Sequence, residues 1–491
     1  MISRTPPPGP KAGPGGGLLA IFRPAPPAPV LLFDPAQIAA AYRSWQFRVL
    51  LLSILGYATF YFVRNNLPIA MPFMSADLGI NKTQLGKLLS LLGVTYGVSK
   101  FGNGFLADRA NACVFMSTAL LASALLNLCF GFSSVVIAFG LIWMFNGWFQ
   151  GMGFPPCARL MANWFPPKQF ATKFSIWNMS HNVGSIGVLL LCGYLVSGTL
   201  FAANWRLCFF VPAALAIAVA VLLWFMLPDT PPSVGLPEFE GTHVDLPRRS
   251  QTGLHQGDER PVGTAGAPVA AVYDRRSAPI ESASTEDFNA FVLRQVFSNP
   301  YIWILSAANF FVYVVRYGVF NWGPMMLMET KHIQILRAAW MVAGFEGFGA
   351  VGALLGGWMT DRFFGGRAAR ACVIYMALAG VSILLFWKIQ TQSEWLITGL
   401  LCATGFFVYG PQCLLAVACA SLATKRAAAT AIGLTSIFGY ASTVLSGWGL
   451  GYVVQNYGWN AGLAGLIASA AIGTFLFILA WPAKAHGYKS T

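Results

Sequence analysis

Two stretches decide the fold, GYATFYFVRNNLP at residues 56–68 and NFFVYVVRYGVFN at residues 309–321. Each is an apolar helical stretch with one arginine, Arg64 and Arg316, 252 residues apart. Tyr57, Tyr61, Arg64 and Pro68 correspond to Asn309, Tyr313, Arg316 and Phe320, in both cases at i, i+4, i+7 and i+11. That spacing keeps each set on one helical face. At 1.5 Å per residue each arginine lies about 20 Å along its helix, too deep for easy snorkelling. A guanidinium in hydrocarbon costs about 2.5–3.5 kcal/mol, so such a residue faces a partner or an aqueous cavity. One alternative is an arginine neutralised by a helix-internal acid for structural reasons, but neither helix carries an intramembrane Asp or Glu. Two guanidinium forks at one site nearly balance a doubly charged anion, and a phosphate monoester is the natural one. Tyr61 and Tyr313, one turn earlier on the same faces, either donate to its oxygens or simply pack.

The 491-residue chain is 56% hydrophobic and 10% charged, with a mean hydropathy of +0.61. A soluble domain cannot hide that much apolar surface behind so few charges. Twelve apolar runs are long enough to cross a bilayer, at 49–74, 84–107, 113–132, 134–161, 171–198, 206–227, 301–328, 337–360, 370–389, 394–421, 427–454 and 459–482. The fold class is therefore an all-α membrane protein with the lipid bilayer as its solvent. The formal charge of +14 does not indicate nucleic-acid binding, because the basic residues are scattered over short loops and termini. Arg109, Arg159, Lys168, Lys173, Arg362, Arg367, Arg370, Lys425 and Arg426 fall at loops on one side, which places both termini in the cytoplasm. Nine cysteines at irregular spacing, without C-x-x-C, signal neither a metal site nor a disulfide framework.

Residues 1–45 read as a disordered tail rich in Pro, Gly and Ala. Residues 46–227 and 300–484 form two six-helix halves, joined by a charged cytoplasmic linker at 228–299, and 485–491 are a C-terminal tail. The halves look like repeats. GFLADR at 104–109 and GWMTDR at 357–362 follow the second helix of each, 253 residues apart. Two parallel six-helix repeats with a midplane site between them resemble the major facilitator superfamily. Asp108, Arg109, Asp361 and Arg362 then read as conformational latches at cytoplasmic helix ends.

Further ionisable groups lie within the runs. Lys100 and Glu346 either pair across the halves in one conformation and separate in another, as a gate, or form a static structural ion pair, or Lys100 merely snorkels near the cytoplasmic end. His181, in WNMSHNVGS, is either a packing residue or a substrate contact. Gly347-Phe-Gly349-Ala-Val-Gly352 matches a dinucleotide fingerprint in letters only, since no strand precedes it. No cofactor motif, metal-ligand cluster or nucleophile–base set appears, which argues against an enzyme such as a membrane phosphatase.

The strings YFVRNNLPIAMP, LGKLLSLLGVTYGVSKFGNGFLADRAN, GWFQGMGFPPCARLMANWF, WNMSHNVG, NPYIWILSAANFFVYVVRYG, NWGP and FFVYGPQ span roughly residues 41–480. They resemble the organophosphate:phosphate antiporter family, which includes bacterial glycerol-3-phosphate and hexose-phosphate transporters and a hexose-phosphate sensor. The resemblance implies a cavity closed by rocking of the halves, with Arg64 and Arg316 binding phosphate. It further implies that Tyr61 and Tyr313 line the site and that Lys100, His181 and Glu346 contact substrate or gate it. Asn65 stands where the family usually has lysine, Asn321 where it often has aspartate, and Ser185 where it has glycine. The first two read as a substituted charge pair.

The expected function is secondary transport of a phosphorylated metabolite, glycerol-3-phosphate or a sugar phosphate, in exchange for inorganic phosphate. The expected form is a functional monomer in the inner membrane. The alternative is a membrane sensor for hexose phosphate that signals to a partner kinase.

Overall fold

The structure, a computed structural model, describes residues 21–29, 32, 34–107, 109–199, 204–238, 291, 293–389, 391, 393–423 and 427–483. Among these residues secondary structure is helical throughout. Span one is Pro35–Phe62 continued by Leu67–Leu78, span two Lys82–Ala107 and span three Ala112–Phe132. Span four is Val136–Gly151 with Phe154–Trp164, span five Pro167–Asn178 with Ser180–Val196, and span six Leu207–Met226. In the second half, span seven is Pro300–Lys331, eight Ile335–Phe364, nine Ala368–Lys388 and ten Glu394–Leu422. Span eleven runs from Ala428–Ala441 through the wide turn Val444–Gly449 into the start of Leu450–Leu479, and span twelve is the rest of that stretch beyond Gly458.

Among the described residues nine helical stretches are individually long and apolar enough to cross a bilayer. Span two, with three lysines, and span four, interrupted at Met152–Gly153, fall outside those nine. Thr430–Leu479, counted once, crosses twice. Its reversal is at Gly458, whose φ of 78° and ψ of 175° suit a residue without a Cβ. The passes therefore number twelve, as expected.

Most span ends follow local chemistry. Asn111 caps span three by accepting from Val114 N at 3.2 Å, and Asn299 caps span seven by accepting from Tyr301 N at 3.0 Å, with Pro300 at the first position. Span one opens at Pro35 behind Asp34, well inside the stretch read as a tail.

The two halves repeat each other's packing. Span one packs on five and six, two on four, and three on six; seven packs on eleven and twelve, eight on ten, and nine on twelve. Between halves the main seams are two against eleven and five against eight, again a related pair. Small residues let backbones approach: a Cβ on Gly184 would lie 2.2 Å from Ala58 O, and one on Gly352 2.0 Å from Phe406 O. Large apolar side chains such as Leu51, Leu125, Phe348 and Trp358 point outward, as lipid-facing residues do.

The seam is fastened toward one end. Lys82 Nζ lies 3.0 Å from Glu329 Oε2, and Lys82 N donates to Gln455 Oε1 at 2.9 Å. Ser90 Oγ donates to Thr443 O and accepts from Trp448 N, both at 2.8 Å. These links sit between mid-span and the end that carries residues 79–81. Toward the other end of span two, a Cβ on Gly102 or Gly104 would meet no atom of a described residue within 4 Å. The protein is thus closed at the first end.

The residues after span six, read as the start of the linker, are built into the first half; residues 239–290 lie outside the described ones. Asp229, 2% exposed, accepts from Ala112 N at 2.8 Å and Ala25 N at 3.1 Å, and lies 3.6 Å from Arg159 Nη2. Phe22 O accepts from Asn111 N at 2.7 Å and Pro232 O from Ala28 N at 2.8 Å, so residues of the N-terminal stretch are tied to the same place. Asp229→Ala strands the two amide donors and the guanidinium of Arg159. We expect a loss of about 2–4 kcal/mol, seen as a lower thermal unfolding midpoint in detergent. An unchanged midpoint would remove Asp229 from this role.

Candidate functional site at the interface of the halves

Arg64 does not lie within a continuous helix. Span one breaks after Phe62, turns through residues 63–66 and resumes at Leu67 with Pro68 in its first turn. The single face expected from Tyr57 to Pro68 is therefore interrupted at Arg64 itself. The cause is local: Pro68 has no N–H to donate to the Arg64 carbonyl and its ring crowds that oxygen, while Asn65 and Asn66 suit a turn. Arg64 is 9% exposed. Its guanidinium carbon lies 4.2 Å from the Tyr96 ring centroid and 5.3 Å from that of Tyr61. Among the described residues no carboxylate lies within ion-pair distance of it.

Arg316, 8% exposed, sits in the unbroken helix of span seven. Its Nη2 donates to Tyr409 Oη at 2.9 Å and lies 4.0 Å from Glu346 Oε1. The Tyr409 hydroxyl in turn donates to Glu346 Oε1. The acid that span seven lacks is thus supplied by span eight, so the counter-charge of Arg316 lies outside its own helix. Glu346 also accepts from Asn182 Nδ2 of span five, at 3.3 Å on its backbone oxygen and 3.4 Å on Oε2, so this cluster crosses the seam.

The remaining side chains close a ring. From Arg64 the chain of contacts runs through Tyr96 to Tyr440, 4.8 Å between centroids, then to Tyr313 at 6.2 Å. Tyr313 lies 5.9 Å from the Arg316 guanidinium. On the other side Glu346 contacts Asn182, whose neighbour His181 lies 5.9 Å from the Tyr61 ring. His181 Nδ1 meets the Asn178 carbonyl. The ring therefore contains Arg64, Tyr61, His181, Glu346, Arg316 and Tyr313, all singled out in the sequence.

Lys100 lies one turn beyond Tyr96, away from the closed end, with Nζ 4.4 Å from the Phe154 centroid and 5.6 Å from that of Tyr440. It does not pair with Glu346, which Arg316 and Tyr409 already hold, so the gate expected from these two charges is not formed in this state. The latch residues Asp361 and Arg362 are exposed in the last turn of span eight and make no ion pair with a described residue. Arg109 is exposed in the turn after span two, and Asp108 lies outside the described residues. Asn65 Nδ2 donates to Ser185 Oγ at 2.9 Å, so two departures from the family pattern touch each other. Among the described residues no hydrogen bond joins Asn65 to Asn321.

The sequence reading missed Tyr96, Tyr409 and Tyr440. Tyr96 had a signal, four residues before Lys100 on one face, and Tyr409 stands in FFVYGPQ. Tyr440 had none. No group of three or more His, Cys, Asp or Glu among the described residues suits a metal ion.

Twelve passes in two matching sets of six, meeting around a ring with one buried arginine from each set, define a multi-pass membrane protein of the transporter class. The chain belongs to the Major Facilitator Superfamily, whose family profile matches residues 53–447. It is 35% identical to a protein of Chlamydia pneumoniae named "Probable hexose phosphate transport protein", over 93% of this chain and 96% of that one. It is also 35% identical to the Bacillus subtilis (strain 168) "Glycerol-3-phosphate transporter", over 94% and 98% respectively. The Salmonella typhimurium "Membrane sensor protein UhpC" is 33% identical, over 93% and 96%. In fold it is similar to a bacterial homolog of the human lysosomal transporter Spinster, solved in an inward-facing and occupied conformation. The TM-score is 0.68 at 17% identity, covering 89% of this chain and 97% of that one.

Proposed function

We propose that this protein is a secondary transporter that carries a phosphorylated three- or six-carbon metabolite across the membrane in exchange for inorganic phosphate. The observation that carries the proposal is the ring itself, in which equivalent positions of the two halves each bring one buried guanidinium to the seam. The names of the similar proteins support the substrate class. The basic loops support an inner-membrane protein with cytoplasmic termini, so the closed end faces outward. All ring residues belong to one chain, which supports a functional monomer.

No covalent step is needed. A phosphate monoester entering from the end away from the fastened seam accepts forked hydrogen bonds from Arg64, which has no acid beside it among the described residues, and then competes with Glu346 for Arg316. Freeing Glu346 loosens the cluster that Asn182 ties across the seam. Substrate binding thereby changes the balance between the two open states, which is all that alternating access requires. When substrate leaves, Glu346 neutralises Arg316 again. Glu346→Gln removes the competitor but keeps the shape: phosphate should bind about three- to tenfold more tightly, while turnover falls about tenfold because release slows. Calorimetric binding and exchange rates on the same preparation check both halves of that statement.

The test of function is uptake of labelled phosphate, glycerol-3-phosphate and glucose-6-phosphate into liposomes loaded with phosphate. Uptake that requires internal phosphate is the expected result. Tight binding of sugar phosphate without uptake would instead favour a sensor that signals to a partner kinase, a reading kept open by the named sensor relative.

A further inference from the structure

The two arginines occupy equivalent positions but are held in different ways. Arg316 is held through its side chain, by Tyr409 and Glu346. Arg64 has aromatic rings around its guanidinium, and what is fixed by hydrogen bonds is its backbone. The Val63 carbonyl at the break accepts from Asn127 Nδ2 of span three at 2.8 Å and from Asn146 Nδ2 of span four at 2.9 Å. All three residues are fully buried. Asn127 also donates to Ser123 O of its own helix at 2.9 Å, which fixes its amide. Asn66 Nδ2 donates to Asn127 Oδ1 at 2.8 Å and to Cys208 O of span six at 2.9 Å. The far side of the turn is therefore tied to the same amide.

The Val63 carbonyl and the Arg64 N–H belong to one rigid peptide plane. Gripping the oxygen from two neighbouring spans fixes the plane from which the Arg64 side chain departs. A buried carbonyl at a helix break also needs donors, and these two amides are what the described residues provide. We infer that Asn127 and Asn146 are positioning residues for anion binding: they hold the break in span one so that the Arg64 guanidinium points into the ring. This rests on the assignment of Arg64 as a phosphate ligand.

The test is a double-mutant cycle with inorganic phosphate as the probe and calorimetric Kd as the readout, on the full-length protein in detergent. Asn127→Leu and Asn146→Leu keep the volume and remove the donors. Each is expected to weaken phosphate binding about tenfold, since small misplacements of a binding group cost that much or more. In an Arg64→Lys background the same changes should cost less than twofold further, because they act through that arginine. In an Arg316→Lys background they should cost the full factor. Equal losses in both backgrounds would show a general structural role and overturn the inference, as would unchanged affinity in the single variants. If Arg64→Lys itself leaves phosphate affinity intact, the site assignment falls and the inference with it. If that change weakens phosphate while the asparagine variants do not, only the positioning role fails. Asn127→Ala and Asn146→Ala carry the same expectations should either leucine variant fail to give monodisperse protein.

Discussion

Arg64→Lys is expected to lower phosphate-driven exchange about a hundredfold, with normal expression and an unfolding midpoint close to that of the parent protein. Lysine keeps the charge, so a loss of that size isolates geometry. A guanidinium presents two parallel N–H groups to a phosphate, whereas an ammonium presents a point charge. A lost charge-assisted hydrogen bond is worth about 1.5–3 kcal/mol, or roughly ten- to a hundredfold in affinity. The Arg64 site offers no substitute, because its surroundings are the rings of Tyr61 and Tyr96 and no carboxylate or second cation among the described residues contacts it. Arg316→Lys should cost a similar factor in exchange but less in phosphate binding. In the empty protein Arg316 already spends part of its hydrogen-bonding capacity on Tyr409 and lies beside Glu346, so its loss also removes a competitor's hold. Exchange in proteoliposomes and calorimetric phosphate binding separate the two cases. Full activity in either lysine variant would refute the assignment of these residues.

The passes were legible because a bilayer dictates the length and character of each span. The two arginines were legible because a charge at that depth demands a reason. What the chain did not disclose follows from the same physics. Helical periodicity carried the eye from Tyr57 to Pro68 without a pause, although Asn65, Asn66 and Pro68 together mark a turn. The partner of Arg316 was sought within its own helix, whereas Glu346 and Tyr409 reach it from spans eight and ten, a contact that only packing creates. Asn127 and Asn146 each stand alone in an apolar helix, and nothing in their local sequence says that both point at one carbonyl. Lys100 and Glu346 stand apart in this state, and the chain did not say in which state they would meet: depth along a helix was readable, but rotation about its axis was not.

The second large effect belongs to the seam rather than the ring. Gly93 of span two faces span eleven, and a Cβ placed there would lie 2.3 Å from Thr443 Oγ1 and 2.5 Å from its Cβ. Valine at position 93 therefore cannot coexist with the closed seam unless spans two and eleven move apart. Overpacking of this kind costs about 1–3 kcal/mol. Here the cost falls only on the state in which the halves meet, because in the opposite state residue 93 has no Thr443 to strike. A bias of that size shifts the ratio of the two states by roughly five- to 150-fold. Gly93→Val is thus expected to slow exchange by roughly one to two orders of magnitude, while phosphate binding changes less than about threefold because no ring residue is touched. Ser90→Cys, introduced beside it on the same seam, should then react about tenfold faster with a membrane-impermeant thiol reagent added at the closed end. The pattern matters more than any single value. Lost exchange with retained binding and increased labelling means a protein held open at the end that this structure shows closed. Lost binding as well would mean that the substitution had damaged the ring, and undiminished exchange would mean that this seam does not open during transport.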